Sequence, residues 1–481
     1  MLFAKNKLLS NKVEKNTKIL FCLLFLASLC FFYTDVNSNT RQGMNFWKAL
    51  FEGDFFHYYS INILDQRRGL MQHNANYDML FNFFIGIWQL PLYIMEKIIK
   101  CDNILDFFLA RVYSKTYYLI LLYFSGHIMK KIGEEMNITK TEQESLFFMY
   151  CSNPIIILSI CNVAQADIIA IIFSLLAILS LFKEDKKWLI FFLLACQCKN
   201  FTFFLFIPII LLKEKRILRI LFYAVLPWIT QFLLNLPFRL CDPIGTELKD
   251  GRMLGVLGDM TKHKIEVFGI EVPIVFIVYS LICILAYVKE EENKYEKKKL
   301  YLYFGALAIS SFFICFGIFF CYWAIYMVPF IILLFFVQKG YKNEKALILE
   351  MVGMIMYVAG SSLSYAWCFD YWFMKGMLID IIIPFRKFEL HGLAMLYSFL
   401  DREEMFSIWT ITYAVFVAWL VYFFIENRPS KNLKLVSEEK IDINKYLWTQ
   451  AILGLLICNI TIIFYAMTIV GRAIEVLFLG G

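Results

Sequence analysis

The chain has 481 residues, of which 60% are hydrophobic and 18% aromatic. Apolar blocks of ~17–25 residues recur along nearly its whole length, the pattern of an all-α polytopic transmembrane protein and not the alternation of a transmembrane barrel. The formal net charge of +7 gives no case for nucleic acid as a partner, because Lys and Arg gather in loops between apolar blocks, where topology accounts for them.

The first block, Ile19 to Tyr33, follows a basic N-terminus and has no small-x-small cleavage site after it. It reads as a retained signal-anchor helix with a cytoplasmic N-terminus. The Lys-poor loop that follows, over 35–106, then faces outside. It offers Glu52, Asp54, Asp65 and Asp78 as acids and Lys48, Arg67 and Arg68 as cations. Asp54 precedes the aromatic run Phe55-Phe56-His57-Tyr58-Tyr59. A carboxylate walled by aromatics suits a general base that takes a hydroxyl proton beside a sugar face; an interfacial amphipathic helix with an aromatic belt has the same composition. Within this loop Met79 to Ile99 carries Pro91 at its middle, which fits a broken or interfacial helix that does not fully cross.

Crossings follow at Phe107–Met129, Leu146–Cys161 and Ile168–Phe182. Between the last two lie Gln165 and Asp167. An ionisable group at membrane depth costs about 2.5–3.5 kcal/mol on insertion scales, so Asp167 marks either a function or a helix N-terminus. The loops Lys183–Lys187 and Lys213–Arg219 both read as cytoplasmic. The apolar stretch between them, Trp188 to Leu212, must therefore go in and come back. Each half has about 12 residues, or ~18 Å of helix, well short of the ~30 Å hydrocarbon core. Two short helices meeting at Lys199-Asn200 are expected, and such irregular backbone is tolerated only where it is buried in protein or lines a cavity.

Further crossings are expected at Ile217–Leu236, Ile270–Tyr287, Tyr301–Phe320, Tyr322–Val337, Ala346–Trp367, Ile408–Ile425 and Leu447–Val470. The loop Arg239 to Glu266 carries Arg252, Lys262 and Lys264, and Tyr322 and Trp323 stand where two apolar blocks meet. The whole chain, 1–481, reads as one integral-membrane unit of about 11 full crossings plus two half-helices, with core helices over 107–338 and C-terminal helices over 346–470. The 13 Cys are scattered and the 5 His are widely spaced, so no metal-ligand pattern is visible. There is no Asp-x-Asp, P-loop or nucleotide-binding glycine pattern, which leaves nucleotide-sugar and ATP-driven chemistry unsupported.

Taken together, these residues resemble the polytopic family C glycosyltransferases, and among them bacterial integral-membrane mannosyltransferase-like proteins. NPIIILSICNVAQADIIAIIFSLLAI is similar to that family's Asn-Pro, apolar run, Gly-Gln-x-Asp, apolar run, with Ala164 in place of the Gly. LLACQCKNFTFFLFIPIILLKEKR is similar to its Lys between two short helices. NLPF, Asn235 to Phe238, resembles the end of a helix before an outer loop, and CYWAIYMVPF resembles its Tyr-aromatic helix, with Phe319 or Phe320 where a polar residue is often found. The likeness covers roughly Phe46 to Val337.

The resemblance implies an inverting displacement at the anomeric carbon of a hexose, mannose foremost, carried by a polyprenyl phosphate. Asp54 would deprotonate the acceptor hydroxyl. Lys199, Arg67, Arg68, Arg252, Lys262 and Lys264 would meet the leaving phosphate. Gln165, Asp167, His57, Tyr58, Asp78, Tyr322 and Trp323 would line the sugar cavity. No metal or other cofactor is expected. The partners would be the polyprenyl-phosphate sugar donor, a glycan or glycolipid acceptor and membrane lipids, at an extracytoplasmic site in the cell membrane. A transporter of a lipid-linked glycan, and a polysaccharide polymerase or ligase built on the loop from Phe369 to Glu404, are the other classes compatible with this sequence.

Overall fold

A computed structural model describes residues 13–29, 34–61, 63–64, 72–73, 77–101, 103–315, 321–364, 402–429 and 443–458. Arg67, Arg68 and most of the loop Phe369–Glu404 lie outside these residues, as do parts of the expected blocks at Tyr301–Phe320 and Leu447–Val470. The described chain is a bundle of α-helices with two short antiparallel strand pairs.

In chain order the helices are α1 Lys15–Ser28, α2 Thr34–Phe51, α3 Met79–Ile99, α4 Phe108–Glu135 and α5 Lys140–Ser152. Then come α6 Pro154–Asn162, whose second half is a π-turn, α7 Ile168–Phe182, α8 Trp188–Cys198, α9 Phe201–Lys213 and α10 Ile217–Cys241. After α11 Pro243–Met260 a hairpin pairs Lys264–Val267 with Ile270–Pro273 and leads into α12 Ile274–Val288. The last are α13 Lys294–Ile314, α14 Val328–Val337, α15 Glu344–Ser364, α16 Arg402–Glu426 and α17 Ile443–Cys458.

By length and composition, α3, α10 and residues Ser407–Glu426 of α16 can each cross a membrane, and α5 with α6 forms a fourth candidate bent by 49°. Local chemistry explains that bend. Thr139 and Glu142 form a capping box that starts α5. Asn153 then ends α5 and caps α6 through Ile155 N, with Pro154 in the first turn where its missing N–H costs nothing. The bend is pinned from the far side by Glu350 of α15, a buried carboxylate that accepts from Asn153 Nδ2 at 3.2 Å, from Gln450 Nε2 at 3.1 Å and from Tyr446.

Ion pairs gather the Lys-rich loops at one end of the bundle. Lys18 meets Glu144 at 2.5 Å, Lys298 meets Glu135 at 3.1 Å, Lys294 meets Glu184 at 2.7 Å and Lys342 meets Glu142 at 3.5 Å. The α8–α9 pair starts and finishes at this end, as the sequence predicts. The Lys213 ammonium lies 5.6 Å from the Trp188 ring, Phe192 and Phe206 are 4.8 Å apart, and Thr202 Oγ1 reaches Cys196 Sγ at 3.5 Å. The two helices thus pair residue against residue about the Lys199-Asn200 turn. They have different outer neighbours: α8 packs on α7, and α9 on α12 and α13.

Two expectations are corrected. α3 is one continuous helix through Pro91, which sits on an exposed face of it. Its N-terminal neighbour Tyr77 meets Lys199, and its C-terminal Glu96 and Lys97 meet Arg41 and Glu52, so neither end joins the Lys-rich end. α2 lies across it, the backbones closing at Gly43 and Gly86, where a Cβ on Gly43 would come within 3.2 Å of Gly86 Cα. The segment NLPF, in turn, does not end a helix: α10 runs on past Pro237 to Cys241, held by the buried anchors Asn235 and Phe238.

Candidate functional site

The irregular backbone after α6 is what aims Gln165 and Asp167. The π-turn releases the helix, Ala164 takes φ +55, and Gln165 N folds back to Ser159 O at 2.9 Å. A side chain in this left-handed region is strained by about 1–2 kcal/mol, and a Gly would avoid the strain. α7 then starts with Asp167 at its N-terminus. The Asp167 side chain does not cap the helix. It turns to Lys199, whose Nζ lies 3.1 Å from Asp167 Oδ1.

Lys199 reaches this position because α8 ends there. Its backbone is extended, at φ −157 and ψ 122, and its carbonyl accepts from Thr202 Oγ1 at 2.8 Å. Asp167 is 0% exposed and the Lys199 side chain 15%. Charge and proximity hold the pair, and the Tyr326 hydroxyl stands against the same carboxylate. Aromatic rings surround the ammonium: Tyr77 at 4.7 Å, Trp323 at 5.5 Å and Phe201 at 5.6 Å.

A second carboxylate joins the pair. Asp35, in the first turn of α2, accepts from Gln165 Nε2 at 3.2 Å. The Tyr77 hydroxyl senses both Asp167 and Asp35. Tyr118 lies beside Asp35 and Asn39, and Tyr326 beside Asp167. The hydroxyls of Tyr118 and Tyr326, the Asn39 amide nitrogen and both Asp167 oxygens are buried together, Tyr118 against Asn39, and Tyr326 and Lys199 against Asp167. Around Asp35 and Asp167 these groups form a buried polar cluster.

A further lysine is buried in the same bundle. Lys115 of α4 is 0% exposed, and its ammonium donates to the carbonyls of Ser28 and Cys161. These are the C-terminal ends of α1 and α6, where the helix dipole favours a positive charge.

Asp78 lies behind Tyr77. It accepts from Lys249 Nζ at 2.6 Å, Gln231 Nε2 at 2.6 Å and Asn235 Nδ2 at 3.0 Å. Asp54 is elsewhere. Its side chain is 62% exposed and pairs with His57 Nδ1 at 2.6 Å, on a 3-10 turn over Phe55–Ser60. Tyr58, next to it, is buried and donates to Gln42 O at 3.0 Å. The structure thus brings together Gln165, Asp167, Lys199 and Trp323 from the expected set. Tyr322 adjoins through its carbonyl, which accepts from Ser159 Oγ at 3.1 Å. Lys264 is an exposed hairpin residue paired with Glu271 at 2.8 Å, Lys262 is an exposed residue just before that hairpin, and Arg252 lies on α11.

Sequence reasoning missed Asp35, Tyr77, Lys115 and Tyr326. Two of them had a signal. Lys115 is a cation inside an apolar block, and Asp35 is the first acid after the first block. Among the described residues no group of three His, Cys, Asp or Glu could hold a metal ion. No family model, no curated protein and no solved structure matches this chain.

Proposed function

We propose that the chain is an integral-membrane inverting glycosyltransferase that moves a hexose from a polyprenyl-phosphate donor to a glycan or glycolipid acceptor. The observation that supports this reading is the buried polar cluster: hydroxyl, amide and carboxylate groups gathered around Asp35 and Asp167, beside a lysine boxed by aromatic rings. A sugar presents hydroxyls to polar groups and C–H faces to rings. A phosphate leaving group needs a cation that is not fully committed to solvent.

In this reading Asp35, and not Asp54, is the base. It is the carboxylate of the first outer segment that meets Gln165, whereas Asp54 is exposed and tied to His57. Asp35 takes the acceptor hydroxyl proton, and the acceptor oxygen attacks the anomeric carbon. The bond from that carbon to the phosphate oxygen breaks, and its electron pair leaves with the lipid phosphate. Lys199 stabilises that developing charge, while Gln165 and Asp167 hold sugar hydroxyls. The short apolar helices count as crossings here, about eleven in all. The Lys-rich end is cytoplasmic and the polar cluster belongs to the opposite, outer half of the bundle in this reading.

The test is purified protein supplied with polyprenyl-phosphate hexose and candidate acceptors. Release of free polyprenyl phosphate only when acceptor is present is the expected result. Transfer of intact lipid-linked glycan across a vesicle membrane, without bond cleavage, would replace this reading with that of a transporter.

A further inference from the structure

Consecutive residues Tyr77 and Asp78 each engage a different buried lysine. The Tyr77 ring lies 4.7 Å from Lys199 Nζ, and Asp78 Oδ1 lies 2.6 Å from Lys249 Nζ. Lys249, on α11, is only 6% exposed along its side chain. Its ammonium also sits 5.1 Å from the Tyr59 ring. Asp78 draws two further donors, Gln231 and Asn235, from α10. The backbone of Tyr77 is fixed as well: its carbonyl accepts from Asn82 Nδ2 at 2.8 Å and from the Tyr59 hydroxyl at 3.3 Å. Cys198, the residue before Lys199, is close enough to Asp78 to sense its charge.

We infer that Asp78 and Lys249 are positioning residues for Lys199. Their side-chain hydrogen bonds go to each other and to Gln231 and Asn235. Their ion pair, with Gln231 and Asn235, anchors the start of α3 to α10 and α11 and so fixes the Tyr77 ring against the Lys199 ammonium. The inference rests on the proposed function only in assigning Lys199 to the donor phosphate. Lys199 acts on charge that develops as the bond breaks, so a residue that holds it in place should change kcat more than the donor KM.

The geometry can be read without any substrate. Purified wild-type protein, Lys249→Met and Asp78→Asn are treated with an acetylating reagent, and Lys199 modification is measured by mass spectrometry against exposed Lys183 as internal reference. The expected result is a rise of about fivefold in relative Lys199 labelling in both variants, with wild-type labelling in Glu271→Gln, which breaks a hairpin pair elsewhere; with donor present, kcat falls about tenfold while KM stays within about threefold. Unchanged Lys199 labelling in both variants overturns the inference. If either variant does not fold, Lys249→Arg and Asp78→Glu are read the same way, with a smaller rise expected. Absence of donor turnover in the wild type would count against the glycosyltransferase reading alone, because the labelling decides the positioning role independently.

Discussion

Lys199 Nζ and Asp167 Oδ1 stand 3.1 Å apart, each at a break between two helices. Both are withdrawn from solvent, so each is the other's main compensation. Removing one partner of such a pair leaves a buried charge and typically costs about 3–5 kcal/mol, whereas removing both costs much less. Lys199→Met and Asp167→Asn are each expected to lower the thermal unfolding midpoint in detergent. The double variant should recover a large part of the loss. Additive losses in the cycle would show that the two groups are not coupled.

Asp35→Asn keeps the shape and the contact site of Gln165 but removes the base. Turnover of polyprenyl-phosphate hexose should fall by about 10²–10⁴-fold, in line with the worth of a general base, with donor binding retained. Asp54→Asn should stay within about threefold of wild type in the same assay. The reverse pattern would return the catalytic role to the aromatic 3-10 turn.

Ala164 holds a left-handed conformation at φ +55. Ala164→Gly relieves that strain but adds freedom to the unfolded chain, so a net stabilisation of up to about 1 kcal/mol is expected. Differential scanning of the two proteins in one detergent would measure it. A drop in stability would show that the Ala164 methyl, which is buried, packs well enough to outweigh the strain.

Gly126 of α4 faces Phe147 of α5. A Cβ there would lie 2.6 Å from two ring carbons, and both helices are fixed at their ends, by Lys298–Glu135 and Lys18–Glu144. Gly126→Ala should destabilise the protein by about 1–3 kcal/mol through overpacking, readable as a lower unfolding midpoint.

The returning α8–α9 pair makes a topological prediction. Single cysteines placed at Lys186 and at Lys215 should share one side of the membrane, and one at His263 should lie on the other. Labelling of intact cells with a membrane-impermeant maleimide, in a background without native cysteines, checks this. Opposite accessibility for Lys186 and Lys215 would contradict the return at Lys199.

Much of the helical framework was legible because apolar runs and charged loops are local properties. The half-helices Trp188–Cys198 and Phe201–Lys213 followed from loop charge and length alone, and Asp167 and Lys199 stood out as costly groups in apolar surroundings. Pro91 and Pro237 misled for a physical reason. Each removes one helical hydrogen bond, a penalty of about 3 kcal/mol, and packing at residues such as Gln89, Asn235 and Phe238, all buried, compensates for it.

The sequence by itself determined that the chain is helical and apolar, where its chain breaks fall, and that two of those breaks carry charge. Only the tertiary structure decided which groups share a site. Asp35, Tyr77 and Tyr326 come from elements far apart in the chain, and no periodicity records that they meet. Asp54 and Asp35 belong to the same loop, and the local sequence favoured Asp54 through the aromatic run that follows it. They are separated by where α2 lies: its first turn faces Gln165, and its far end leaves Asp54 in the open. Burial and the partners it brings are properties of packing, and packing is set by the whole bundle.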